Sequence, residues 1–228
     1  MRTTVAAFLI SSVGLALVGC GSNQGPSSQW AGKTYVLTIP VEDWAKPRGL
    51  GQQVGLVVPQ FLIGLQAGTG SDLTVTLGTA NGGQQNLCNA TTQTTTNESQ
   101  QPNVISVSEF PMVVVSNNTD AGAPITVHST VHDLKLTDVL PRDTAASSGI
   151  FEATIDFGEL YPLFPKVNPP TAEGACGLLS QVSAACGTCA YSSEDKYCLT
   201  IRAEELGAVA SSTQIKQISV ADLASSCP

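Results

Sequence analysis

Positive charge is what this sequence has least of. Ten Lys and Arg stand against 18 Asp and Glu in 228 residues, a net charge of −8, and no stretch gathers the cations together. Nucleic acid and anionic phospholipid surfaces are therefore poor partners, because both are bound through concentrated positive charge. Histidine is nearly missing: His128 and His132 are the only two, which leaves little for His-dependent catalysis. Charged residues make up 12% of the chain, too few to coat a set of surface helices, and the Thr, Ser, Gln, Asn and Val in their place favour strands and turns. No Gly-x-Ser-x-Gly elbow occurs. Gly49-Leu50-Gly51 misses the dinucleotide fingerprint because Val54 stands where its third glycine belongs, and no cofactor is expected.

A long apolar run is present at the N-terminus. Met1-Arg2-Thr3-Thr4 supplies one positive charge and Val5 to Val18 supplies none, the layout of an export signal. The run falls short of the roughly 20 apolar residues of a membrane-spanning helix. It ends in Leu17-Val18-Gly19-Cys20, which resembles the lipobox of bacterial lipoproteins. The resemblance implies that residues 1–19 are removed and that the Cys20 thiol carries a diacylglycerol. It also implies that the new amine takes a fatty-acyl chain such as palmitate. Two such anchors hold a protein firmly, since each buried methylene contributes about 0.8 kcal/mol. Gly21 and Ser22 follow the Cys with no Asp, which under the same resemblance points to the outer membrane of the cell envelope. Residues 20–30, rich in Gly, Ser, Pro and Gln, read as a flexible tether.

With Cys20 used by the lipid, six cysteines remain: Cys88, Cys176, Cys186, Cys189, Cys198 and Cys227. An even number in an exported chain reads as disulfides. Six thiols allow fifteen pairings; four of them crowd into Cys176–Cys198 and can pair locally, leaving Cys88 for Cys227.

Residues 31–165 read as an antiparallel β domain, a sandwich or a barrel. Alternation marks strands at Lys33–Val41, Ser71–Ala80, Val104–Ser108, Met112–Ser116, Ile125–Val139 and Gly149–Phe157. Val54–Gln66 is continuously apolar and fits either a bent strand or a short buried helix. Asn81–Asn103 is Gln, Asn and Thr throughout and reads as a long exposed loop pinned at Cys88. After Pro169-Pro170 the pattern changes. Residues 166–228 read as a Cys-rich, partly helical segment packed on the β domain, with helix over Thr171–Ala185, a short strand at Tyr197–Arg202 and helical turns at Ala203–Ala210.

Several motifs invite chemistry. Cys186-Gly187-Thr188-Cys189 resembles the active-site pair of thioredoxin-like oxidoreductases, but lacks the core strand before it and the helix after it that such a thiolate needs. Structural cystines are the better reading of all four neighbouring cysteines, and a zinc site the worst. His128 and His132 lie about 13 Å apart along a strand, too far to share a metal. Asp156 and Glu159 could pair as acid and base, and Asn89 and Asn97 open glycosylation sequons by pattern alone. No catalytic or metal-binding residue is assigned. The expected role is that of a non-enzymatic envelope lipoprotein, structural or binding a protein or glycan partner. A carrier of an apolar, lipid-like ligand ranks second, and a periplasmic thiol-disulfide oxidoreductase third.

Overall fold

The computed structural model describes residues 28–48, 60–116, 124–142, 148–164, 167–192, 194–223 and 227. Residues 1–27, with Cys20, and Gly49 to Pro59 lie outside them, as does Asn117 to Ala123. The described chain is mainly β, as its alternation predicts. Eleven strands are described: β1 (Thr34–Leu37), β2 (Trp44–Lys46), β3 (Gln60–Ala67), β4 (Asp72–Asn81), β5 (Gln84–Gln85), β6 (Thr92–Asn97), β7 (Val104–Ser116), β8 (Ile125–Thr137), β9 (Gly149–Asp156), β10 (Cys198–Leu206) and β11 (Val209–Ser211). They form two antiparallel sheets. One has the order β11-β1-β3-β4, with β5 and β6 both pairing along the far edge of β4; the other has the order β2-β10-β9-β8-β7.

The sheets pack face to face as a sandwich, and its core is built from alternate residues. Phe61, Ile63 and Leu65 of β3 and Leu73, Val75 and Leu77 of β4 meet Phe110, Val131, Phe151 and Ile201 from the opposite sheet. Phe61 sits between Phe110 and Phe151, with ring centroids 5.6 Å from each. Trp30, 1% exposed, plugs one pole and donates its Nε1–H to the Pro141 carbonyl at 2.8 Å.

Two bulges correct the simple alternation. His128, Thr130, His132, Leu134 and Leu136 would share one face of a regular strand. The register of β8 against β9 instead slips by one between His132 and Lys135, where Asp133 adopts φ 51°. One extra residue turns the pleat over, so Val127 and Val131 face the core before the bulge, and Leu134 and Leu136 face it afterwards. In β10 the same device appears at Glu205, φ 62°, between Ala203 and Leu206. The two strands expected at 104–108 and 112–116 are one, with Pro111 inside it. Pro111 shares the parity of Val113, whose N–H turns away from β8 toward Asn89. The missing donor of Pro111 thus falls on the open edge, where proline is tolerated.

Three further expectations give way. Asn81–Asn103 is not a loop throughout, since it holds β5 and β6 and buries Asn89, Ala90, Thr96 and Asn103. Ala203–Ala210 is strand, not helix: β10 pairs with both β2 and β9, and that pairing outweighs the helix preference of Ala, Glu and Leu. Residues 166–228 are consequently more than a segment packed on the outside, because they supply an interior strand of one sheet and the edge strand β11 of the other. The described half of Val54–Gln66 is strand β3.

Helix is confined to short pieces. In α1 (Phe157–Leu160) the Asp156 carboxylate caps the start by accepting the Gly158 N–H at 2.6 Å. In α2 (Ala172–Leu178) Thr171 does the same for Gly174 at 3.1 Å, and a 3₁₀ turn runs on from Leu179 to Val182 before Ser183 ends it at φ 55°. No helix among the described residues is long and apolar enough to cross a membrane.

The last part of the chain crosses the outer face of the first sheet as a strap. Side-chain hydrogen bonds and one between backbones hold it in place of a ladder. The Gln85 amide accepts from Lys216 N and donates to Lys216 O, both at 2.7 Å, and Thr91 N donates to Ile218 O at 2.8 Å. Ile215 settles over Gly64 and Gly78, where side chains are absent from the sheet surface. A Cβ on Gly64 would overlap Ile215 Cγ2, and one on Gly78 would come to 3.2 Å from its Cδ1. Gly64→Ala is expected to lower stability by about 1–3 kcal/mol through overpacking. Limited proteolysis should find new cleavage within residues 212–217; an unchanged digestion pattern would mean that the strap does not depend on this contact.

Candidate functional site

The strands sort the molecule into two poles. β3 and β4 turn at residues 68–71, β6 and β7 at 98–103, and β8 leads out at 138–142, all on the side of Trp30. Hydrogen bonds join these turns to one another. Gln29 N donates to Glu98 Oε1 at 2.7 Å, Glu98 N to Ser71 O at 2.8 Å, and Asp138 N to Asn103 O at 2.9 Å. The chain therefore enters the sandwich at this pole, locked there from Ser28 onward.

The other pole holds the cystines. Cys88 bridges Cys227, Cys176 bridges Cys186 and Cys189 bridges Cys198, over sequence separations of 139, 10 and 9. Cys88 follows the far end of β4, and Cys198 opens β10 opposite Asp156, the last residue of β9. The Cys-Gly-Thr-Cys motif is thus divided between two bridges. A thioredoxin-like cycle closes a disulfide inside the motif, and here each of its cysteines is bonded to another partner.

Beside the Cys189–Cys198 bridge lies a cluster of titratable side chains. The Tyr191 hydroxyl donates to Asp156 Oδ2 at 2.9 Å and lies 3.4 Å from Cys198 Sγ. Its ring stacks on His132, centroids 3.6 Å apart and 21° from parallel. Burial of the phenol, then the bond to Asp156 and that carboxylate's charge, raise the Tyr191 pKa well above its ordinary value, so the proton stays on the oxygen. One Asp156 oxygen is held by the helix cap and the other by Tyr191, while Glu159 Oε2 accepts the Thr130 N–H at 2.7 Å. Both carboxylates thus accept hydrogen bonds from the fold around them.

Ligand atoms of Asp156, Cys189 and Cys198 lie within 4.8 Å of one another, all buried. The two sulfurs are bonded to each other and cannot serve as thiolates, so the arrangement is a packed cystine. His128 is exposed and His132 is buried beneath Tyr191, so the two histidines have no common environment.

Asn89, legible in the sequence only as the start of a sequon, has a structural role instead. It is 2% exposed and stands between the sheets, donating Nδ2–H to Thr79 Oγ1 of β4 at 2.6 Å and accepting Val113 N–H of β7 at 2.7 Å. A glycan cannot be attached to a side chain so enclosed. Nothing in Asn-Ala-Thr separates this asparagine from its neighbours; the only signal is its place one residue after a cysteine.

A second region is acidic. Glu42, Asp43, Glu204 and Glu205 surround a cleft of about 430 Å³ with Trp44 and Arg48. Burial, then the charges of Glu42 and Glu205, raise the Asp43 pKa above the ordinary carboxyl value. A carboxyl whose folded pKa is raised stabilises the fold fully below its unfolded pKa, near 3.9, and loses that contribution as pH rises through the folded value. Asp43→Asn is therefore expected to add a few tenths of a kcal/mol at pH 7 and nothing at pH 3. Urea melts at the two pH values read this, and equal shifts at both would count against the electrostatic cause.

Compared with protein-family models, with curated proteins and with solved structures, the chain finds no match.

Proposed function

We propose that the chain is a non-enzymatic lipoprotein of the bacterial envelope, anchored through Cys20 and holding its cystine pole away from the membrane for a partner. The observation that carries this reading is the charge-free run ending in Leu17-Val18-Gly19-Cys20. Three formed disulfides agree with an oxidising compartment. The orientation follows from chain length. Ser28 is fixed at the Trp30 pole eight residues after Cys20, and a fully extended link of that length reaches at most about 29 Å. A lipid at Cys20 would then hold the Trp30 pole toward the bilayer. The outer membrane is the proposed destination.

The carrier reading has less support, because Phe61, Phe110 and Phe151 fill the space between the sheets where an apolar ligand would sit. The oxidoreductase reading has the least, given the bridges that divide Cys186 from Cys189. Metabolic labelling with a fatty acid tests the proposal. The wild-type chain should take up label and partition into detergent, and Cys20→Ala should do neither. Equal labelling of the two would overturn it.

A further inference from the structure

The β4–β5 hairpin turns on Asn81-Gly82-Gly83-Gln84, where the two glycines take φ 57° and 78°, the positive pair of a tight two-residue turn. A Cβ built on either glycine would meet nothing within 4 Å, so the turn stands open. Asparagine is among the chemically least durable side chains. Asn81 is exposed at the end of β4, and its amide has no hydrogen-bond partner among the described residues. The other described asparagines differ. Asn86 accepts the Cys88 N–H, Asn89 spans the sheets, Asn97 donates to Asp72 and Asn103 donates to Asp138. Asn168 precedes Pro169, which has no N–H to give up.

We propose that Asn81 is a site of spontaneous modification, in which the Gly82 backbone nitrogen attacks Asn81 Cγ and one of the products loosens the strap. The new C–N bond closes a five-membered succinimide, and the side-chain nitrogen leaves as ammonia with the Gly82 proton. Water then adds to one of the two ring carbonyls and breaks its bond to nitrogen. Opening at Cγ leaves aspartate; opening at the backbone carbonyl leaves isoaspartate, whose main chain runs through Cβ and Cγ. Glycine suits the attack because no side chain shields its nitrogen and its backbone is free to follow. Asn81 must leave its pairing with Gln84, and that pair is the last of the two that join β4 to β5. Such short, exposed ends open at the low end of the stability range.

The consequence falls on the strap. Gly83 N donates to Gln60 Oε1 at 3.1 Å and Gly83 O accepts from Thr213 Oγ1 at 3.0 Å, while Gln85 holds Lys216. Extra main-chain atoms at position 81 would carry Gly83 off both partners and Gln85 out of register with Ala80. Aspartate adds only a charge and leaves those contacts in place.

The test keeps the full chain in detergent at mildly alkaline pH over days and maps its peptides by mass. Asn81 should convert, with isoaspartate among the products, read by enzymatic methylation of isoaspartyl carboxyls. Aspartate without isoaspartate would overturn the ring-closing attack. So would an intact Asn81 when the urea-unfolded control has converted, or conversion spread evenly over Asn86, Asn97 and Asn103. Limited proteolysis should cut aged protein within residues 212–217 severalfold faster than fresh protein, and aged Asn81→Gln should cut like fresh wild type. Equal cutting of fresh and aged wild type would overturn the link to the strap.

Discussion

Replacing Cys88 and Cys227 together by serine should lower the unfolding free energy by about 5 kcal/mol. The bridge closes a loop over a sequence separation of 139. In the chain-entropy treatment the stabilisation grows with the logarithm of loop length, so this bridge contributes more than either of the short ones, near 3 kcal/mol each. An effect of that size is a large part of the 5–15 kcal/mol typical of a whole domain. Urea unfolding of the double variant reads it directly. The m-value should rise as well, because an unbridged unfolded chain exposes more surface. A loss below about 1 kcal/mol would mean that Gln85, Thr91 and Ile215 pin the strap without help, and that the bridge only follows.

The second large effect is expected at Asn89. Asn89→Ala removes two bonds that tie β4 to β7 and leaves the Val113 N–H without an acceptor. A net bond is worth about 1 kcal/mol, and an orphaned buried donor costs a further 1–3 kcal/mol. The expected loss is about 3 kcal/mol. Asn89→Asp keeps the shape and the acceptor for Val113 N–H but replaces the donor to Thr79, so it separates the two halves of the effect. Its loss should be larger at pH 7 than at pH 3, where the carboxyl is neutral and can donate again. If Ala and Asp variants both melt like the wild type, the bridge between the sheets is not set by this side chain.

The strands that sequence reading found are those with an apolar face. Phe151, Ala153 and Ile155 alternate cleanly, and so do Leu73, Val75 and Leu77. What it missed has no apolar signature. Strand β6 reads Thr-Gln-Thr-Thr-Thr-Asn and lies on an edge, where Thr94 Oγ1 donates to Ser106 O and Thr96 Oγ1 to Val104 O, both at 2.8 Å, sewing it to β7 of the other sheet. Hydroxyls make that seam, and no hydrophobic period betrays it. The bulges at Asp133 and Glu205 were equally hidden, because a single residue of positive φ leaves composition untouched. In the C-terminal region Ala203-Glu204-Glu205-Leu206 has a helix former's content and becomes strand only because β9 and β2 wait on either side.

The place of β10 also sets a clock. It lies between β9 and β2, yet it follows β2 by about 150 positions. The second sheet does not join β2 to β9 until Cys198–Leu206 has been made. Until β10 joins, β9 is an unfinished edge of a β7-β8-β9 sheet, and contacts of such long separation form slowly. Lateness of this kind keeps the sandwich open: the second sheet cannot close before β10 lies between β2 and β9.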